Sequence, residues 1–151
     1  MEDGRRADRL MVYSDGASSG NPGRAGIGVV IYDQNGRLLK KISKFIGIAT
    51  NNVAEYMALI YGLQEALHLG AKKVECFLDS ELLVKQLKGV YKVRDEKLRL
   101  LHSQVRHLEK FFYKLSFSHL LRDKNREADK LAKEAIRGRR ERGDRGLPLA
   151  A

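Results

Sequence analysis

A mixed α/β sheet with helices packed on both faces is the fold class that this 151-residue sequence predicts, and three observations predict it. Short apolar runs of strand length fill the first third of the chain. A three-to-four apolar spacing, the mark of an amphipathic helix, sets in at about residue 52. Strand and helix signals then alternate to about residue 136, with no internal repeat.

Residues 10–14 are an apolar run that stops at Asp15-Gly16, and the segment up to Gly28 is rich in Gly, Ser, Asn and Pro, which predicts a strand followed by a turn region. Residues 26–32 and 38–46 read as two further strands, joined by Asp33-Gln34-Asn35-Gly36, whose Asn-Gly pair suits a hairpin. The first three strands therefore form an antiparallel meander. Ala54, Met57, Ala58, Tyr61, Ala66 and Leu67 place a helix from Asn52 that Gly70 ends. Residues 74–78 return to strand, and 80–87 form a short helix closed by Gly89. Leu98, Leu101, Val105, Leu108 and Phe112 mark a longer helix from about Asp95, followed by a last strand over 115–121 and a last helix over 125–136. Residues 1–9 read as a charged N-terminal extension and 10–136 as one domain. A basic tail, 137–151, is expected to be disordered, since 137–146 carry five arginines against two acids and no large apolar residue.

At 43% hydrophobic residues the chain can bury one core. Its formal charge of +10 points to nucleic acid or another anionic surface as partner. Cys76 is the single cysteine, so no intramolecular disulfide can form, and the four histidines lack the Cys-x-x-Cys companion of a zinc site. Cys76 falls within an apolar strand and is expected to be buried. No apolar run reaches the length of a membrane span and the first nine residues are charged, so a soluble, cytoplasmic monomer without membrane contact is expected.

Against this basic background, Asp15, Glu55, Asp79 and Asp129 stand at expected strand ends or in the first turns of expected helices. Each has an ordinary structural reading. Asp15 could stabilise its turn, Glu55 could close a capping box with Asn52 as N-cap, Asp79 could cap the helix at Ser80, and Asp129 could complement the positive end of the last helix. Together they read differently. If the strands bearing Asp15 and Asp79 are parallel neighbours, their carboxyl ends open on one crevice, and Glu55 and Asp129 can reach its rim from two helix starts. Carboxylates crowded there repel one another unless hard divalent cations compensate. The stretch from Gly23 to Gly28 has the form Gly-x-x-Gly-x-Gly, but it leads into a strand and lacks Gly-Lys-Ser/Thr, which excludes a phosphate loop.

Four blocks resemble the ribonuclease H type 1 family: Tyr13-Ser14-Asp15-Gly16-Ala17-Ser18-Ser19-Gly20-Asn21-Pro22-Gly23, Thr50-Asn51-Asn52-Val53-Ala54-Glu55-Tyr56, Asp79-Ser80-Glu81-Leu82-Leu83-Val84 and Asn125-Arg126-Glu127-Ala128-Asp129-Lys130-Leu131-Ala132. In order and spacing they cover most of the chain from Met11 to about Ile136. The resemblance implies a five-stranded mixed sheet in the order 3-2-1-4-5 and metal-dependent endonucleolytic cleavage of the RNA strand of RNA/DNA hybrids, giving 5'-phosphate and 3'-hydroxyl ends. It matches Asp15, Glu55, Asp79 and Asp129 to the family's catalytic, metal-binding carboxylates. Two Mg2+ ions are then expected when substrate is bound, with Mn2+ as a substitute, because oxygen ligands favour Mg2+ over Zn2+. The resemblance also sets Asn21, Asn51 and Asn52 against the minor groove of the hybrid and Thr50 near a DNA-strand phosphate, with Gly16 in the same substrate-binding set. Amides suit a wide, A-like minor groove whose 2'-hydroxyls both donate and accept.

Two departures from the better-known bacterial members stand out. Residues 118–125 are too few for both the last strand and the His-containing loop those members carry before the last helix. His119 is therefore expected to be a structural residue of the strand, and Arg122 to approach phosphate from the shortened turn without shuttling a proton. The basic handle rich in Lys and Trp is also missing: residues 89–95 pass almost directly into the next helix, and the chain has no tryptophan. Lys85, Lys88, Lys92 and Arg94 remain as a smaller basic patch, and binding is expected to depend strongly on ionic strength. A nuclease acting on double-stranded RNA and a non-catalytic binder of RNA-containing duplexes are the alternatives; the second need not keep all four acids. A ribosome-associated protein explains the charge and leaves the four blocks unexplained.

Overall fold

A computed structural model describes residues 8–141; the rest of the charged extension and of the basic tail lies outside the described residues. Strands β1 (Arg9–Ser18), β2 (Gly23–Asp33), β3 (Leu38–Ala49), β4 (Lys73–Leu78) and β5 (Lys114–His119) form one sheet in the order β3-β2-β1-β4-β5. The first three pair antiparallel as the expected meander, β4 joins β1 in parallel, and β5 joins β4 in parallel. The helices are α1 (Asn51–His68), α2 (Glu81–Leu87), α3 (Glu96–Glu109) and α4 (Arg126–Glu141).

Glycines show which face of the sheet each long helix covers. A side chain at Gly28 of β2 would meet the Ala128 carbonyl oxygen of α4 at 2.0 Å, whereas Gly62 of α1 backs onto Val12 and Val29. Neighbouring strand residues point to opposite faces, so α1 and α4 sandwich the central strands. Because both of its faces are covered, β2 is buried without a break from Ala25 to Ile31. Edge strand β3 instead exposes Lys40, Lys41 and Lys44, charges that oppose pairing with another chain. The core on the α1 face joins Leu10, Val12, Val29, Ile31, Leu59, Leu63 and Leu78, with Val105 of α3 closing it from behind α1. Cys76 lies fully buried in that core, as the apolar strand around it implies, and burial pushes its thiol pKa up.

Element order and type follow the sequence reading, and the differences lie at the ends. β1 does not stop at Ser14: Asp15 pairs with Gly28 and Gly16 with Ile27, so the polar run to Ser18 is strand, held by an antiparallel partner that overrides its weak propensity. The parallel ladder with β4 nevertheless ends at Tyr13↔Phe77, so β1 leaves one neighbour while still bound to the other. β3 extends to Ala49 through register shifts opposite β2, with Gly47 at φ +89°. α4 runs on to Glu141, so 137–141 continue a helix in which arginine is well tolerated.

Gly28→Ala is expected to destabilise the fold by about 2 kcal/mol or more, because the obstacle is backbone and α4 must move off β2. Gly36→Ala, at φ +84° with open space around it, is expected to cost about 1 kcal/mol. Urea titration of the two variants measures the difference.

Candidate metal and nucleic-acid site

The parting of β1 from β4 creates the crevice. Asp15 lies two residues beyond Tyr13, where the parallel ladder ends, and Asp79 directly follows Leu78, the last residue of β4. Continuing the register Tyr13↔Phe77 brings the two aspartates level at the carboxyl ends of adjacent parallel strands. Glu55 enters from the second turn of α1, and Gly16 makes that approach possible: a Cβ there would stand 2.3 Å from the Ala54 carbonyl carbon and 2.4 Å from the Glu55 nitrogen. The Gly16 backbone acts to lower the Glu55 pKa, against larger effects that raise it.

Local capping does not account for three of the four acids. Thr50, not Asn52, is the N-cap of α1, its Oγ1 accepting from the Val53 N–H at 3.2 Å, which puts Glu55 too far along the helix for a capping box. Ser80 caps α2 by accepting from the Leu83 N–H at 3.2 Å, leaving Asp79 outside that helix. Asp15 is in a paired strand and not in a turn. Asp129 alone keeps its ordinary reading, an acid in the first turn of α4 with Lys133 Nζ 3.2 Å from its Oδ2.

Carboxylate oxygens of Asp15, Glu55 and Asp79 lie within 4.8 Å of one another. Asp15 is 4% exposed and Glu55 7%. Burial, then the charge of Asp79, pushes the Asp15 carboxyl up to about 8; Asp129 adds to the rise and a hydrogen bond with Glu55 opposes it. Glu55 is held well above the usual carboxylate range by its own burial and then by Asp15. Asn125 donates from Nδ2 to the Ser14 carbonyl and to Asp79 Oδ2, each at 3.0 Å. Glu55 Oε1 and Asp79 Oδ1 are buried without a hydrogen-bond partner. Among the described residues no salt bridge reaches the three acids. Two orphaned carboxylate oxygens beside a third carboxylate, all hard donors, fit a divalent cation that prefers oxygen.

The other residues singled out from the sequence surround this trio unevenly. Asn51 donates its backbone N–H to Asn21 Oδ1 at 3.0 Å, tying the β1–β2 connection to the start of α1. Asn21 and Asn51 are exposed, Thr50 and Asn52 half-buried, and the asparagine amides of α1 are not used by its cap. Arg122 is exposed in the short 3-10 turn Arg122–Lys124 that lies between β5 and α4. His119 is in the strand, as expected, but it is exposed and not packed, because it ends an edge strand beyond the core. The α2–α3 connection and α3 line a groove that includes Lys92, Arg94, Lys97 and Arg99, while Lys85 is engaged with Glu81 and Tyr91. Sequence reasoning gave Asn125 and Lys133 no role; the signal for Asn125 was that it opens the block leading to Asp129, four residues on.

A family profile described as reverse transcriptase-like matches residues 13–135. A bifunctional protein of Mycobacterium tuberculosis is 39% identical over 129 residues, which is 85% of this chain and 35% of that protein. Ribonuclease HI of Halobacterium salinarum is 41% identical over 131 residues, 87% of this chain and 66% of that protein. The chain thus spans about a third of the mycobacterial relative and about two thirds of the haloarchaeal one. The crystal structure of RNase H1 from Halobacterium salinarum superposes with a TM-score of 0.85, covering 86% of this chain and 98% of that one. An RNase H1 isolated from compost, solved in complex with an RNA/DNA hybrid, is 44% identical with a TM-score of 0.82, covering 85% of this chain and 97% of that one.

In the absence of metal, the raised Asp15 carboxyl makes the folded state bind protons more tightly than the unfolded chain. The stability linked to it is complete below pH 3.8 and is lost as pH rises through about 8. In chelator, Asp15→Asn is therefore expected to melt several degrees above the wild type at about pH 9 and close to it near pH 4. Saturating Mg2+ is expected to stabilise the wild type and not the variant. Scanning calorimetry across pH measures both.

Proposed function

This chain belongs to the reverse transcriptase-like, ribonuclease H type 1 family, and on that premise we propose that it is a metal-dependent endonuclease that hydrolyses the RNA strand of RNA/DNA hybrids, giving 5'-phosphate and 3'-hydroxyl ends. The observation that carries the reading is the trio Asp15, Glu55 and Asp79, whose carboxylate oxygens lie within 4.8 Å at the crevice between β1 and β4. The hybrid as substrate is supported by the compost enzyme, 44% identical, solved with that ligand.

Two divalent ions, Mg2+ or in its place Mn2+, would supply an activated water and charge stabilisation at the leaving oxygen. Asp15, Glu55 and Asp79 would hold them, and Asp129 would complete the set from α4, with Lys133 beside it moderating its charge. No side-chain nucleophile is required. Gly16 acts by letting α1 approach β1, its missing side chain keeping Glu55 in the crevice. Asn21, Asn51 and Asn52 offer amide donors and acceptors to the 2'-hydroxyls of the RNA strand, which a DNA duplex lacks. Thr50, next to them in the sequence, suits a DNA-strand phosphate, and Arg122 offers a planar cation to phosphate from the exposed turn before α4. Lys92, Arg94, Lys97 and Arg99 form a basic groove for duplex backbone in place of the absent handle. No helix among the described residues is long and apolar enough to cross a membrane, and action as a cytoplasmic monomer accords with the reading.

Purified protein is expected to cut the RNA strand of a hybrid in Mg2+ or Mn2+ and not in chelator, and Asp15→Asn to lose at least about 100-fold in rate. Cleavage that survives chelator or that substitution sinks the assignment. Double-stranded RNA and DNA duplex, run in parallel, test substrate choice. His119→Ala is expected to retain turnover within about threefold, and Arg122→Ala to weaken hybrid binding and flatten its salt dependence. The reverse pattern in steady-state kinetics transfers the role to His119.

A further inference from the structure

The geometry points to Asn125 as the positioning residue that aims Asp79 into the crevice and sets its spacing from Asp15, an inference that rests on the metal-binding reading above. Asn125 is 2% exposed. Its main chain joins the two elements on either side: its N–H donates to the Arg122 carbonyl at 2.9 Å, and its carbonyl accepts from the Asp129 N–H at 3.1 Å, opening α4. Its side chain reaches across to the sheet. One amide nitrogen is shared at 3.0 Å between Asp79 Oδ2 and the carbonyl of Ser14, the residue before Asp15. Both partners are acceptors, so the orientation of the amide is fixed: the reverse would set its oxygen against a carbonyl and a carboxylate.

This shared donor does two things at once. Engaging Oδ2 leaves Oδ1 of Asp79 as the free oxygen, buried without a partner, on a residue whose carboxylate clusters with those of Asp15 and Glu55. A neutral amide orients the carboxylate without cancelling the charge that attracts a cation, as an ammonium or guanidinium would. By holding Ser14 with the same nitrogen, Asn125 also bridges the gap where the β1–β4 ladder has ended at Tyr13↔Phe77. The strand ends are thus braced at the point where their own hydrogen bonds no longer hold them.

Mn2+ titrated calorimetrically into the metal-free protein tests this without recourse to activity. Asn125→Ala, and Asn125→Leu, which fills the same space without a donor, are expected to weaken binding by at least about tenfold. In an Asp79→Ala background the same changes are expected to alter affinity by less than about twofold, because their effect passes through Asp79. The hybrid KM is expected to stay put while the Mg2+ concentration for half-maximal rate rises. Unchanged Mn2+ affinity, an equal loss with and without Asp79, or loss of cooperative unfolding in both Asn125 variants overturns the proposal. Hybrid cleavage by the wild type, measured alongside, judges the proposed activity separately, since metal affinity is read whether or not hybrid is cut.

Discussion

The burial of carboxylates side by side in one crevice, with the repulsion that follows from it, is the constraint around which the rest of the molecule is arranged. Asp15 and Glu55 are buried, Asp79 is half-buried, and no cationic side chain among the described residues pairs with them. The hydrogen bond from Asn125 to Asp79 offsets only part of their mutual cost, so the surrounding structure has to hold them together. The uninterrupted burial of β2, the α1 face of the core and the close seating of α4 all lie within a short distance of these residues. A scaffold stable enough to keep carboxylates crowded while empty is one that binds a cation without first rearranging.

That scaffold depends on two close backbone approaches. At Gly16, β1 meets the second turn of α1; at Gly26 and Gly28, β2 meets α4, whose facing positions include Ala128, Ala132 and Ala135. Small residues on both sides bring main chain against main chain, which fixes position more tightly than interleaved long side chains would. The first approach places Glu55 and the second places the start of α4. The glycines therefore act on the site through geometry and contribute no ligand atom.

Much of this was legible in the sequence, for reasons that particular residues make plain. Helix and strand periodicities were long enough to fix element type and order, and the four blocks around Asp15, Glu55, Asp79 and Asp129 implied the sheet order that is found. Boundaries were less legible. Thr50, Asn51 and Asn52 are all good cap formers, and only the extended backbone at Thr50, φ −80° and ψ 165°, decides among them. Ser14 to Ser18 have the composition of a turn, yet β2 supplies an antiparallel partner along their whole length, a long-range fact that local composition does not encode. The exposure of His119 follows from β5 lying at the sheet edge, which depends on strand order and not on the strand's own alternation. Asn125 was invisible as a brace because its partners lie 46 and 111 residues away.

That last separation bears on how the molecule is made and lost. A contact closing 111 residues of chain comes late in folding, since the entropy of so large a loop must be overcome before the contact stabilises anything. The Asn125 brace is accordingly expected to act on the native side of the folding barrier. An ion held through that brace would therefore slow unfolding more than it speeds folding, acting on the lifetime of the folded molecule more than on the rate of its formation.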